Sequence, residues 1–367
     1  MEWYKIDNED DVFSPALLVY PDRIEENIRR MIRVAGDAGR LRPHVKTHKM
    51  SEIIRLQMKH GIRKFKCSTI AEAEMTAGCG ASDILLAYQP VGPNIKRFFD
   101  LKAAYPGIKF SCIADSEEVI IRLSEAAAAG NSQTGIWLDM NVGMNRTGII
   151  PGEEAVKLAR LITDLPALTL EGLHAYDGHL HEPDPLLRRK MCDEAFAPVL
   201  RFTKELDKSG IRNMKIIAGG SPTFPIHARR EEVELSPGTI LLWDHGYGSA
   251  FSDMDFLHAA VLLTRVVSKP ATNLICIDLG HKAVASEMKG PRIHVLSEGN
   301  YEMVSHNEEH MVLRSNRAER LKTGSVLYAI PYHICPTVDR HDVVSVVRDG
   351  KVTEQWKVKA RQRVITI

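Results

Sequence analysis

From about residue 41 to residue 243, short apolar runs alternate with stretches whose apolar residues recur every three or four positions. The runs cover residues 41–45, 64–68, 84–87, 108–113, 135–140, 168–175, 214–218 and 233–243. Stretches between them, such as 50–59, 95–104, 116–129, 153–162 and 186–209, carry helical spacing. Ser116 ahead of Glu117-Glu118 reads as a helix start, and Gly61 and Gly130 read as helix stops. Near-continuous apolar strands separated by helices call for a parallel sheet buried on both faces. Eight such units in about 200 residues predict a closed (β/α)8 TIM barrel. An open doubly wound sheet is the runner-up, but no Gly-x-Gly-x-x-Gly follows the first strand.

Beyond about Phe251 the pattern changes. Runs at 258–268, 274–278, 302–304, 324–330 and 342–348 are rich in Val, Ile and Leu. Turn signals at Lys269-Pro270, Glu298-Gly299-Asn300 and Asp349-Gly350 separate them. The last of these, between 343–347 and 352–358, predicts a hairpin. We therefore expect residues 15–247 to form the barrel. Residues 248–367, joined by 1–14, are expected to form a mainly β domain. The run Ala16-Leu17-Leu18-Val19 is compatible with either.

Charge excludes some partners. With 48 basic and 47 acidic residues the net charge is +1, no footprint for nucleic acid or a membrane surface. No apolar run is long enough to span a bilayer, and Met1-Glu2-Trp3-Tyr4-Lys5 does not read as a signal peptide. Six cysteines without a Cys-x-x-Cys pair, three of them in apolar runs (Cys67, Cys112, Cys276), predict free thiols in a reducing, cytoplasmic compartment.

A barrel of this kind builds its site at the carboxyl ends of its strands. Lys46 ends the first run, and a desolvated lysine there would form Schiff bases, whereas a solvated one would be an ordinary loop residue. Gly219-Gly220-Ser221 follows the seventh run and Gly238-Thr239 falls at the eighth. Paired glycines and small hydroxyls at these two strands suit a phosphate, although each cluster alone is more often just a turn. A lysine opposite a phosphate cradle points to pyridoxal 5'-phosphate. Arg146, after the fifth run, suits an anionic oxygen. The segment His174-Ala175-Tyr176-Asp177-Gly178-His179-Leu180-His181-Glu182, after the sixth, is dense in titratable groups. In Pro331-Tyr332-His333-Ile334-Cys335-Pro336, an extended chain would turn His333 and Cys335 to one side. An imidazole and a thiolate suit a divalent ion such as Zn²⁺; a half-buried strand with one chance cysteine is the plain alternative.

Together these segments resemble the fold-type III pyridoxal-phosphate enzymes, the alanine racemase-like barrels. They are most similar to the metal-activated D-threonine aldolase and D-serine dehydratase family. Pro43-His44-Val45-Lys46-Thr47-His48-Lys49 looks like that family's Schiff-base lysine motif, and Gly143-Met144-Asn145-Arg146-Thr147-Gly148 like its arginine segment. Tyr176 would flank the cofactor, Gly219, Gly220, Ser221, Gly238 and Thr239 would cradle its phosphate, and His333 and Cys335 would hold Zn or Mn. The resemblance implies a homodimeric lyase acting on a small D-amino acid. Its first reading is an aldolase that cleaves β-hydroxy D-amino acids to glycine and an aldehyde. A D-serine or 3-hydroxy-D-aspartate dehydratase comes next, favoured by Cys335, and an amino-acid racemase third. His179, His181 and Glu182 compete for the base, with His179 placed first. Small pyridoxal-phosphate carrier proteins share the barrel and lysine but lack the β domain.

Overall fold

The computed structural model describes residues 2–367. They form two compact units. One holds Met31–Lys46, Ile54–Gly238 and Gln362–Ile367; the other holds the residues up to Arg30, Thr47–Ile53 and Thr239–Arg361.

The second unit takes in β1 (Ala16–Val19), which pairs antiparallel with β9 (Ala260–Ala271) and parallel with β15 (Val343–Arg348). The first unit is built on seven parallel strands. They are β2 (Lys64–Cys67), β3 (Asp83–Leu86), β4 (Lys109–Ala114), β5 (Thr134–Asp139), β6 (Leu168–Ala175), β7 (Lys215–Ala218) and β8 (Val233–Leu235), paired in chain order. Helices such as Ser51–Lys59, Pro93–Ala104, Glu117–Ala129, Glu153–Asp164 and Pro185–Lys208 alternate with them as the spacing predicts.

The first expected strand, over residues 41–45, is not regular. Leu41 and His44 make single parallel bridges to Leu235 and Lys66. Arg42 N–H donates to Leu235 O at 2.8 Å, and Lys66 N–H donates to Pro43 O at 2.9 Å. Residues 41–44 thus join β8 to β2 and close the ring without extending a ladder. Pro43 has no N–H to give, and Val45–Thr47 wind into a 3-10 turn. The long run over 233–243 is shortened for a similar reason: β8 stops before Pro237, and Thr239–Leu241 form another 3-10 turn.

Side chains fill the ring. Leu85, Ile113, Trp137 and Ile217 pack together inside. Nearer the amino ends of the strands, the buried Arg42 holds Asp83 through two hydrogen bonds of 2.7 and 3.0 Å and Glu234 through one of 2.9 Å. Lys64 also pairs with Glu234. Removing one partner of such a buried pair costs about 3–5 kcal/mol. Thr69 and Asp184 cap their helices by accepting N–H groups from Glu72 and Leu187. Ser116 stands at the expected N-cap, but its side chain makes no capping bond.

In the other unit β1 and β9 belong to one nine-stranded sheet. Its remaining members are β10 (Leu274–Ile277), β11 (Ile293–Val295), β12 (Tyr301–His306), β13 (Met311–Ser315), β14 (Val326–Pro331), β15 and β16 (Lys351–Lys357). Along one path the order is β12-β13-β10-β9-β1-β15-β16, with β14 pairing β9 and β11. Tyr4, Leu18, Tyr20, Val261, Leu263 and Tyr328 form a core beneath it. Lys269-Pro270, expected as a turn, lies in the exposed end of β9 beside a register shift in the β9–β10 pairing, where a missing N–H is tolerated. Asp349 and Gly350 carry φ of 48° and 73°, the two positive values a type I′ turn needs, and they join β15 to β16 as expected. All six cysteines are free. Among the described residues no helix is long and apolar enough to cross a membrane.

Candidate active site

Tyr176 follows β6, and three cations gather round its ring. Arg146 places its guanidinium carbon 5.1 Å from the ring centre, Lys66 its Nζ at 5.5 Å and Lys46 its Nζ at 5.7 Å. Arg146 sits in the loop after β5. Asn141 Oδ1 shapes that loop by accepting the N–H groups of Gly143 and Asn145. At Gly148 φ is +94°, and a Cβ there would lie 2.6 Å from Asn141 N, so only glycine fits. Among the described residues no carboxylate pairs with Lys46, Lys66 or Arg146.

Sequence reasoning missed Lys66. It lies on β2, is 2% exposed, and burial followed by the charge of Lys46 pushes its amine down to about 7. The signal was present in Lys64-Phe65-Lys66-Cys67, because residues 64 and 66 share one side of a strand. Lys66 Nζ lies 3.5 Å from His174 Nε2, and His174 Nδ1 lies 2.6 Å from Asp139 Oδ1. The ionised Asp139 carboxylate can only accept, so Nδ1 carries the ring proton to it and Nε2 is left to accept from Lys66. Burial lowers the affinity of His174 for a second proton. Burial opposes ionisation of Asp139, but its hydrogen bond with His174 holds the carboxyl below the usual range.

The loops after β7 and β8 meet. Ser221 Oγ accepts the Gly238 N–H at 3.3 Å. Gly219 has φ +83°, and its N–H donates to Ala175 O at 3.3 Å. Gly220 N–H donates to Asp177 Oδ1 at 2.9 Å. Both glycine N–H groups are therefore engaged inside the fold, and what the turn offers a ligand is close backbone approach. Thr239 falls in the other unit, its hydroxyl 3.5 Å from Cys335 Sγ.

The candidate bases separate. His179 is exposed, and its ring lies against Gly143, whose Cβ would come 3.2 Å from Nε2. Glu182 Oε1 accepts the Asp184 N–H at the entry to the helix Pro185–Lys208. His181 is exposed.

In the second unit the segment around Cys335 is not extended. β14 ends at Pro331, His333 stands at the N-cap, and Ile334–Val338 form a short helix. Asp244 Oδ2 accepts the Ile334 N–H at 3.0 Å and so starts this helix, which alternation along a strand could not reveal. His333 and Cys335 nonetheless meet. Burial opposes protonation of His333, but hydrogen bonding to Cys335 pushes it up to about 9. His333 Nδ1 bonds the Glu287 carboxylate, and Thr47 Oγ1 lies 3.2 Å from Cys335 Sγ. An imidazole and a thiol sharing a proton, with a carboxylate on Nδ1, is a donor set that fits a divalent ion of zinc type.

A further group of donors lies in the barrel unit. Asp177, Cys192 and His227 are buried, with ligand atoms within 4.8 Å of one another. Around Tyr176, an amine, unpaired cations and a glycine turn fit an anionic aldehyde cofactor.

Residues 19–245 match the family described as alanine racemase, N-terminal domain, and residues 259–347 match a serine dehydratase-type domain. The chain is 30% identical over 357 residues to a D-threonine aldolase of Arthrobacter sp., covering 95% of this chain and 93% of that one. It is 28% identical over 366 residues to a 3-hydroxy-D-aspartate aldolase of Paracoccus denitrificans (strain Pd 1222), covering 96% and 93%. The crystal structure of a D-threonine aldolase from Filomicrobium marinum superposes with a TM-score of 0.90 at 27% identity, covering 98% of this chain and 99% of that one.

Proposed function

The chain belongs to the alanine racemase N-terminal domain family, and from that membership we propose a pyridoxal-phosphate- and metal-dependent lyase of D-threonine aldolase type. It would cleave a β-hydroxy D-amino acid between Cα and Cβ, giving glycine and an aldehyde. The observation that carries this reading is the grouping of Lys46 and Arg146 on the ring of Tyr176, with no carboxylate to neutralise them.

Pyridoxal phosphate supplies an electron sink for the bond that breaks. Lys46 would supply the amine that anchors it, and Arg146 would offer its anionic oxygen a fixed positive charge. Tyr176 would give the cofactor a flat wall. A divalent ion supplies Lewis acidity, and His333 and Cys335 are the residues that would hold it. His179, exposed beside the Arg146 loop, would take the proton from the substrate hydroxyl.

Cys335 favours a second reading. Its thiolate, within a segment of serine dehydratase type, suits loss of the hydroxyl to give a 2-oxo acid and ammonia. The free thiols support a cytoplasmic enzyme, and family likeness supports a homodimer. The deciding assay offers D-threonine and D-serine with Zn²⁺ or Mn²⁺ and scores glycine, aldehyde and ammonia separately. Glycine plus aldehyde is expected; ammonia alone would replace the aldolase with the dehydratase.

A further inference from the structure

Asp177 follows Tyr176, yet its side chain is buried away from solvent. Its carboxylate is surrounded by donors from a segment more than forty residues further along the chain. Oδ1 accepts the Gly220 N–H at 2.9 Å and the Thr223 hydroxyl at 2.8 Å. Oδ2 lies 2.8 Å from His227 Nε2. Arg230 donates to His227 Nδ1 at 2.9 Å, so Nε2 carries the ring proton and donates it to Asp177. Arg230 is held in turn by Asp193. Burial works against ionisation of Asp177, but His227, Thr223 and the Gly220 N–H hold its carboxyl below the usual range.

This arrangement grips the turn after β7 from beneath. A Cβ on Gly219 would lie 2.7 Å from His227 Cδ2, and a Cβ on Gly220 would lie 3.3 Å from Tyr176 Cε2. The turn therefore rests on His227 below and on the Tyr176 ring at its side. Ser221 then ties it to the β8 loop through Gly238. Three of the contacts that fix this surface, from the Gly220 N–H, the Thr223 hydroxyl and His227, meet on one carboxylate.

We propose that Asp177 is a positioning residue whose buried carboxylate holds the Gly219-Gly220-Ser221 turn in the shape that accepts the phosphate ester of the cofactor. The proximity of Asp177, Cys192 and His227 also resembles a metal site. The hydrogen bonds account for it better: 2.8 Å between Oδ2 and Nε2 is a hydrogen-bond separation. Arg230 on the far side of the imidazole also disfavours a second cation.

The inference rests on the pyridoxal-phosphate reading above. Its test compares pyridoxal 5'-phosphate with pyridoxal, which has the same aldehyde and no phosphate. Binding of each is followed by imine absorbance in wild type, Asp177→Asn, Thr223→Val and Thr223→Ser. Asp177→Asn and Thr223→Val are expected to weaken binding of the phosphate form about tenfold or more, leave pyridoxal unchanged, and so compress the preference between them. Thr223→Ser, which keeps the hydroxyl, should retain it. A purely structural role would weaken both ligands alike, and an unchanged preference in Asp177→Asn and Thr223→Val overturns the proposal. So does Cys192→Ser carrying one zinc fewer than wild type, since the carboxylate would then be a ligand. If wild type binds neither aldehyde, the cofactor reading itself fails.

Discussion

Lys46 and Lys66 share one aromatic ring yet call for opposite predictions. Lys46→Ala should lose the yellow absorbance of the bound cofactor and its borohydride-reducible adduct; an adduct surviving at full yield would move the anchoring role to Lys66. Arg146→Ala should lower kcat/KM by about 10²–10³-fold, with little change in melting temperature because the side chain is exposed. Normal turnover would make it an ordinary surface arginine. Lys66 should instead cost the fold stability. Its amine is lowered from 10.5 to about 7, so between those values the unfolded chain binds the proton and the native chain does not. Native stability then rises with pH, at up to about 1.4 kcal/mol per pH unit from this group. Below pH 7 both states are protonated and the cost stays at its maximum. Lys66→Met should therefore raise the urea midpoint of the cofactor-free protein clearly at pH 7 and only slightly at pH 10. An equal gain at both would mean that Lys66 is not held neutral.

The strands are joined closely enough that some positions admit no side chain. At Gly172 on β6, φ is +155°, and a Cβ would lie 2.2 Å from Lys215 O and 2.8 Å from Trp137. The clash is with backbone of the neighbouring β7, so a side chain cannot swing clear. Gly210, at φ +89°, has nothing within 4 Å of its would-be Cβ. Gly210→Ala should cost only about 1 kcal/mol of backbone strain. Gly172→Ala should cost several times more or prevent recovery of folded protein. Thermal unfolding of the pair measures the difference, and equal losses would show that β6 and β7 can separate without breaking the barrel. The turns show the same economy: Asp349-Gly350 was legible because a two-residue turn carries its chemistry locally. Lys269-Pro270 was misread because sheet pairing, not local propensity, carries β9 past it.

Two compact units with separate chemistry lead to a test on the entire protein. His333 and Cys335 lie in one unit, and Lys46, Arg146 and Tyr176 lie in the other. Two protein ligands hold an ion weakly compared with a closed four-ligand site. Exhaustive chelation should therefore abolish lyase activity while leaving cofactor absorbance and far-ultraviolet circular dichroism unchanged. Full activity without metal would eliminate the aldolase and dehydratase readings together and leave an amino-acid racemase as the better reading.

Much of this organisation follows from local periodicity. Apolar runs of four to eleven residues and helical spacing repeat within each βα unit, so the barrel and the later β domain could be read before any contact was known. The Lys46, Arg146 and Tyr176 motifs could be found the same way, because a site at strand ends sits where an apolar run stops. Contacts between distant residues were not legible. Closure depends on Leu41 meeting Leu235, and the helix carrying Cys335 starts on Asp244, 90 residues earlier. Nothing within 331–336 reports that carboxylate, so an extended segment was the natural expectation. Lys66 passed for part of a strand because its inward direction acquires meaning only once β2 lines a ring. Asp177 passed for one more titratable residue because its partners, Gly220, Thr223 and His227, are 43, 46 and 50 residues away. Periodicity is a property of neighbours along the chain, whereas a buried charge takes its role from whichever donors the fold brings to it.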